Sequence, residues 1–418
     1  MIKTLRNAWK IPDLRKRLLF TIGMIIVFRL GAHIPVPGVN NAQLRTLFEG
    51  GNLLGFFDIV SGGALKDFTI FAMSVTPYIT ASIVINLLTL IIPSWERMIK
   101  EGGQEGRKKQ MRYTRYATVI LAFIQALAVT LGIRGYLLKQ SWSSYLLIAL
   151  TLAAGTAFLM WLGEKIQEHG IGNGISLIIF TGIISKMPLT VWNMIRSVRI
   201  GEMSIFTLIA VTIGIVLMIA AVILIQEGQR RIPVQYARRV VGRKVYGGQS
   251  THIPLRINQA GVIPVIFASS ILMFPATIAT FSQAEWLKKV GKALQMGGWL
   301  HTVLYMLLIF GFTYFYTSVQ FNPRDISDNL KQQGGFVPGI RPGKPTTDYL
   351  SRVSGRLTFV GATFLCLLVV IPIFVSSAFN VPLGIAGTSL IIMVGVALDT
   401  VKQIENQLMM RHYGGFLK

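Results

Sequence analysis

The feature that most constrains this chain is the recurrence of apolar stretches long enough to cross a bilayer. A hydrocarbon layer about 30 Å thick takes roughly 20 helical residues. Candidate runs lie at 18–34, 68–92, 117–133, 144–163, 175–192, 205–226, 259–280, 299–320, 357–376 and 384–401. The fifth is the weakest, because Lys186 and Pro188 interrupt it. Of the 418 residues, 52% are hydrophobic and only 14% charged, too little charge to cover a soluble protein of this length. The basic, amphipathic start MIKTLRNAWKIPDLRKR runs into the first apolar stretch with no small-residue cleavage site, so that stretch reads as a true span. The predicted class is an all-α membrane protein with ten transmembrane helices.

The net charge of +24 is unevenly placed. Alternate loops, namely the N-terminus, 93–116, 164–174, 227–258, 321–356 and the tail, hold 30 of the 41 Lys and Arg residues. The opposite loops hold nine, and Arg29 and Lys186 lie within the first and fifth runs. Positive residues stay on the cytoplasmic side, and an even number of spans puts both termini there. The single cysteine, Cys366, sits in an apolar run, so an intrachain disulfide is excluded and a small core filler is the ordinary reading.

Two regions depart from a plain bundle. Residues 35–67 lie outside, are rich in Gly and Pro, and contain an apolar patch from Phe56 to Leu65 that is too short to span. It fits a re-entrant piece packed on protein or, equally, an interfacial loop. The cytoplasmic loops 227–258 and 321–356 are long for helix connections. Both mix basic residues with β-branched, aromatic, Gly and Pro residues, as in Arg231-Ile232-Pro233-Val234 and Phe336-Val337-Pro338-Gly339-Ile340-Arg341. That composition predicts ordered, hairpin-like projections and a docking surface, beyond what topology requires.

Enzymatic chemistry has no foothold. The spans are nearly free of Asp and Glu, which argues against an ion-coupled transporter of small solutes. Glu164, Glu227 and Asp399 sit at span ends, and the five histidines lack metal-ligand spacing. The run Gly170-Ile171-Gly172-Asn173-Gly174 has neither phosphate-loop spacing nor a following Lys and reads as a turn, with Asn173 near a helix start. No cofactor or metal is expected, and any energy must come from a partner. Asn86 and Gln125 favour a water-filled interior, since amides facing lipid are costly; bonding across a helix interface is the alternative.

Several motifs together resemble one family. They include Val27-Phe28-Arg29-Leu30-Gly31, Ile34-Pro35-Val36-Pro37-Gly38 and Ser61-Gly62-Gly63-Ala64-Leu65. Further along come Pro77-Tyr78-Ile79-Thr80-Ala81-Ser82, Trp161-Leu162-Gly163-Glu164 and Gln229-Arg230-Arg231-Ile232-Pro233. Gln249 to Leu255, Asn322-Pro323-Arg324, Phe336 to Gly343 and Gly387-Thr388-Ser389 complete the set. This pattern, spread over nearly the whole chain, resembles the SecY family of protein-conducting channel subunits.

The resemblance implies two pseudo-symmetric five-helix halves around an hourglass pore. They would be 1–192 and 205–418, joined by an external connection at 193–204. It implies a pore ring at Val75, Ile79, Ile175, Ile179, Ile266 and Ile392, with the valine a mild departure from isoleucine. It implies a plug at 56–66, carried by Phe57, Ile59, Val60, Ser61, Gly62, Gly63 and Leu65, with the two glycines giving freedom to move. A lateral gate would lie between spans two and three and spans seven and eight, with Thr80, Gln125 and Ser269 on it. Arg230, Arg231, Arg238, Arg239, Arg243, Lys244, Arg341 and Lys344 would dock the SecA motor or ribosomal RNA, Arg341 foremost for SecA. The implied activity is passage of unfolded secretory proteins and release of transmembrane segments into lipid. Implied partners are SecE, SecG, the SecA ATPase, the ribosome, signal sequences, nascent chains and membrane lipid, with SecDF and YidC as accessory candidates. The implied location is the bacterial cytoplasmic membrane.

Overall fold

The computed structural model describes residues 6, 8–40, 43–44, 62–201, 203–236, 239–241, 244–246, 250–281, 291, 293, 298–379 and 387–414. Helix α1 spans Pro12–Gly31. Residues 62–75 then run through successive turns, and α2 begins only at Thr76, ending at Ile91. This corrects the expectation of a span from residue 68. Phe68 and Ser74 hold φ of 42° and 50°, where a right-handed helix cannot continue, and Pro77 suits a first turn because its missing N–H would have no helical partner there.

A bend of 102° leads into α3 (Pro93–Glu101). Next come α4 (Gly103–Gly132), α5 (Trp142–His169), α6 (Gly174–Ile200) and α7 (Ile205–Glu227). The predicted loop at 93–116 is therefore almost wholly helical. Helix α6 corrects two further expectations. Lys186 and Pro188 do not break it, and it consumes most of the connection at 193–204 before Gly201 closes it at φ 84°. A single interior proline removes one helical bond, which the flanking turns tolerate.

The second half carries strands β1 (Gln229–Tyr236), β2 (Arg239–Val241), β3 (Lys244–Tyr246) and β4 (Ser250–Arg256). Helices α8 (Ile263–Phe281), α9 (Trp299–Gln320) and α10 (Pro323–Gln332) follow. Strand β5 (Gly335–Phe336) and helices α11 (Lys344–Phe379) and α12 (Gly387–Gly414) complete it. Among the described residues, seven helices are long and apolar enough to span a membrane, and the bent α2–α3 pair makes an eighth. The other two predicted runs are also helical. Helix α1 carries Asp13, Arg15, Lys16, Arg17 and Arg29, and the apolar helix described within α8 is Ile263–Leu272.

Helix α4 packs on α2 and α5, and α1 packs on α5. Helix α9 packs on α8 and α11, and α12 on α7 and α11. These two groups meet along two seams: α8 against α2 and α4, and α6 against α7 and α12. Glycines set how closely some helices approach. A Cβ on Gly174 would overlap the Gly163 carbonyl, and one on Gly155 the Ile70 carbonyl. Large side chains such as Ile209, Ile213, Val216 and Leu217 on α7 are exposed, as expected of a helix solvated by hydrocarbon.

Candidate functional site

The largest buried cluster lies where the helices of both groups converge. Val75, Ile79, Ile179, Ile266 and Ile392 are all buried members of it, and the half-buried Ile175 packs against it. Local structure explains how each arrives. Val75 caps α2 and Ile79 follows one turn later. Asn173 caps α6, its Oδ1 accepting from the Ser176 N–H at 3.2 Å, so Ile175 and Ile179 fall on successive turns at the start of that helix. Ile266 lies on the first turn of α8 and Ile392 near the start of α12. Four helices thus bring branched aliphatic side chains into one buried cluster. No hydrogen-bonding group is carried on those six side chains, so a chain threading between them would find nothing polar to hold it.

The predicted gate residues Thr80, Gln125 and Ser269 lie on α2, α4 and α8 respectively, the three helices that form the seam of α8 with α2 and α4. The hydroxyls of Thr80 and Ser269 donate to their own helix, to the Thr76 carbonyl at 3.1 Å and the Ile266 carbonyl at 2.8 Å. Neither needs a partner across the seam. Asn86 resolves toward the helix-interface alternative. Its Oδ1 accepts from Gln110 Nε2 at 2.8 Å, which braces α2 against α4.

Of the predicted plug, Phe57, Ile59, Val60 and Ser61 lie outside the described residues. Gly62 and Gly63 have φ of 68° and 99°, and Leu65 is buried. A Cβ on Gly62 would stand 2.9 Å from the Gly182 Cα. Glycine is therefore required here by backbone conformation and close packing on α6.

The described parts of the loops 227–258 and 321–356 fold together. Strand β1 pairs antiparallel with β4, Ile232 opposite Ile253, and with β5, Gln235 opposite Phe336. One loop thus supplies two strands and the other completes the sheet. Ile232, Val234 and Leu255 pack with Leu330 of α10, Val337, and Leu350 and Val353 of α11. Along β1 the buried Ile232 and Val234 alternate with the exposed Arg231, Pro233 and Gln235, the period-two pattern of a half-buried strand. Arg230, Arg341 and Lys344 are also exposed. Arg239 and Lys344 begin β2 and α11, Lys244 begins β3, and Arg238 and Arg243 lie outside the described residues. The segment presenting Arg341 is fastened at several points. Gly339 and Gly343 adopt φ of 80° and 93°, Thr346 Oγ1 donates to the Arg341 carbonyl at 2.8 Å, and Ser327 Oγ donates to the Gly343 carbonyl at 2.8 Å.

The SecY family model matches residues 69–401. The protein translocase subunit SecY of Halalkalibacterium halodurans is 47% identical, with both chains covered in full. That of Thermotoga maritima is 45% identical over all of this chain and 98% of its own, and that of Bacillus subtilis 45% identical over the full length of both. The chain belongs to the SecY family. Its fold agrees with solved relatives at lower identity. A structure of a protein-conducting channel aligns with a TM-score of 0.70 at 19% identity, covering 96% of each chain. Sec61 from a canine ribosome-channel complex aligns at 0.66 and 18%, again covering 96% of each.

Three polar contacts of this SecY-family chain escaped sequence reasoning. Tyr305 on α9 is buried, and its hydroxyl donates to the Val265 carbonyl of α8 at 3.4 Å, joining the pair that borders the seam. The turn between α5 and α6 is clamped from both sides. The Ile171 N–H donates to Thr21 Oγ1 of α1 at 3.0 Å, and the Gly172 N–H donates to Gln403 Oε1 of α12 at 2.7 Å. The Gly-rich motif marked that turn, but nothing local pointed to its distant partners. At the span ends, Glu164 pairs with Arg115 and Glu227 with Lys402, at 2.8 and 2.7 Å. Those two cations are occupied within the bundle, as the interfacial reading of the acids expected.

Proposed function

We propose that this chain is the channel-forming subunit of a protein translocase. Unfolded secretory chains pass through the constriction between its two helix groups, and hydrophobic segments leave sideways through the seam of α8 with α2 and α4. The observation that carries this reading is the convergence of Val75, Ile79, Ile175, Ile179, Ile266 and Ile392 from four helices on one buried aliphatic cluster. A dry, deformable ring of this kind opposes ion flow yet yields to an extended polypeptide. The seam suits lateral release because its gate hydroxyls are satisfied within their own helices. A signal helix that parts it exposes few orphaned polar groups to lipid.

The chain is a multi-pass membrane protein and acts as a channel, not as an enzyme. The charge distribution supports the bacterial cytoplasmic membrane with both termini inside. Residues 56–66 act as the plug. The folded cytoplasmic unit is the docking platform for the SecA ATPase and the ribosome, with Arg341 at its projecting segment, and SecE and SecG complete the complex. Crosslinking tests the pore. A photoreactive group at Ile79 or Ile175 is expected to capture a stalled secretory chain in an active reconstituted complex. Capture only at lipid-facing control positions such as Ile213 would overturn the assignment.

A further inference from the structure

Arg29 is the one charged residue in the first apolar run that its membrane-inserted length does not explain. A guanidinium facing hydrocarbon is costly, so its partners matter. Its Nη1 donates to the Gly62 carbonyl at 3.1 Å and to Ser185 Oγ of α6 at 3.1 Å. The Ser185 hydroxyl in turn donates to the Gly182 carbonyl at 2.7 Å. Gly62 is pressed flush on this site, with no room for a side chain against Gly182. At the far end of the same segment, Ser74 holds φ of 50°, is buried, and has an Oγ without a hydrogen-bond partner. Its neighbour is Val75 of the aliphatic ring.

We propose that Arg29 is a positioning residue that latches the trailing end of the plug onto α6 in the resting channel, with Ser185 as the fixed half of the latch. The inference rests on reading residues 56–66 as a plug. A basic residue in the last turn of α1 also suits the helix dipole, but that role needs only nearby charge. Here one nitrogen bridges a carbonyl 33 residues on and a hydroxyl 156 residues on. The arrangement has two states. Closed, Arg29 makes two charge-assisted bonds in a partly dry site. Released, the guanidinium is hydrated by the water that enters the outer funnel, so opening leaves no charge stranded. The strained backbone at Ser74 gives the segment a pivot beside the ring.

The test uses the complete reconstituted complex in planar bilayers and reads resting ion conductance. It compares R29M, R29K, S185A and a deletion of residues 56–61. A second readout is translocation of a substrate with a weakened signal sequence. The latch predicts that the deletion leaks and that R29M leaks by roughly tenfold over the parent, the scale of losing charged hydrogen bonds. R29K is expected to restore part of the seal, S185A to leak less than R29M, and the weakened signal to be tolerated better in R29M. If the deletion leaks while R29M and S185A stay as tight as the parent, the latch is wrong and the plug stands. If the deletion itself is tight, the plug reading fails and the latch with it. Should R29M not assemble, S185A and R29K decide: a parental seal and parental signal stringency in both overturns the proposal.

Discussion

The aliphatic cluster between the helix groups and the platform formed by the loops 227–258 and 321–356 are built from the same kind of residue and held together in different ways. In the platform, Ile232, Val234, Leu255, Leu330, Leu350 and Val353 close a small core between a sheet and two helices. Hydrogen-bonded strands from both loops cross-link that core, so the arginines on its surface keep fixed positions. In the aliphatic cluster, Val75, Ile79, Ile179, Ile266 and Ile392 come from four helices, and no shared sheet joins them. Their contacts are dispersion contacts between surfaces that belong to different helix groups. Burial of such side chains is non-directional, so the same chemistry makes a cross-linked core in the platform and, on the proposed reading, a separable seal between the helix groups.

The contrast can be broken most severely in the platform. Leu350 is fully buried, and Leu350→Ala is expected to cost about 2–5 kcal/mol of platform stability. Hydrogen exchange should rise together across residues 229–256 and 323–343 and stay unchanged in α5 and α12. Separate responses of the two loops would show that they are not one unit. Arg341→Glu sharpens the division between core and surface. It should leave that exchange pattern intact and lower SecA-driven translocation by roughly tenfold or more, since like charges juxtaposed at an interface cost several kcal/mol. Normal translocation would remove Arg341 from the docking surface.

In the constriction, replacing Ile79 and Ile179 together by Gly should raise resting ion leakage several-fold with little loss of assembly. Loss of assembly without leakage would mean that these residues act as an ordinary core. The smallest effect is expected from Asn86→Leu. It removes the brace to Gln110 and should shift the α2–α8 separation, read by distance labels, by an equilibrium change of about 1 kcal/mol. An unchanged distance distribution would place the brace outside the gate's movement.

Much of this was legible before any coordinates. The apolar runs located every long helix, because a bilayer demands a minimum length of apolar chain whatever packs around it. The mixed composition of the loops 227–258 and 321–356 marked them as ordered; the first holds strands, whereas the second holds helix α10, the two-residue β5 and the start of α11 rather than a hairpin. Boundaries were less legible. The long run at 68–92 hides the turns before Thr76, since periodic hydrophobicity carries no record of a left-handed φ at Phe68 or Ser74. Pro188 looked like a break and is absorbed within α6. Side-chain partners were least legible. Asn86 could equally have faced water, and only its neighbour on α4 decides otherwise.

By itself, the sequence determined that the chain is a membrane protein, where its charge lies, and which family it resembles. These follow from length, solvent preference and local motif, all of which act along the chain. Tertiary structure alone decided that the loops 227–258 and 321–356 share one sheet, that the turn at Gly172 is held by α1 and α12, and that Arg29 reaches Gly62 and Ser185. Each depends on residues between 33 and 231 positions apart meeting in space. No local preference encodes such meetings. They arise when the packing of whole helices brings the donors and acceptors together.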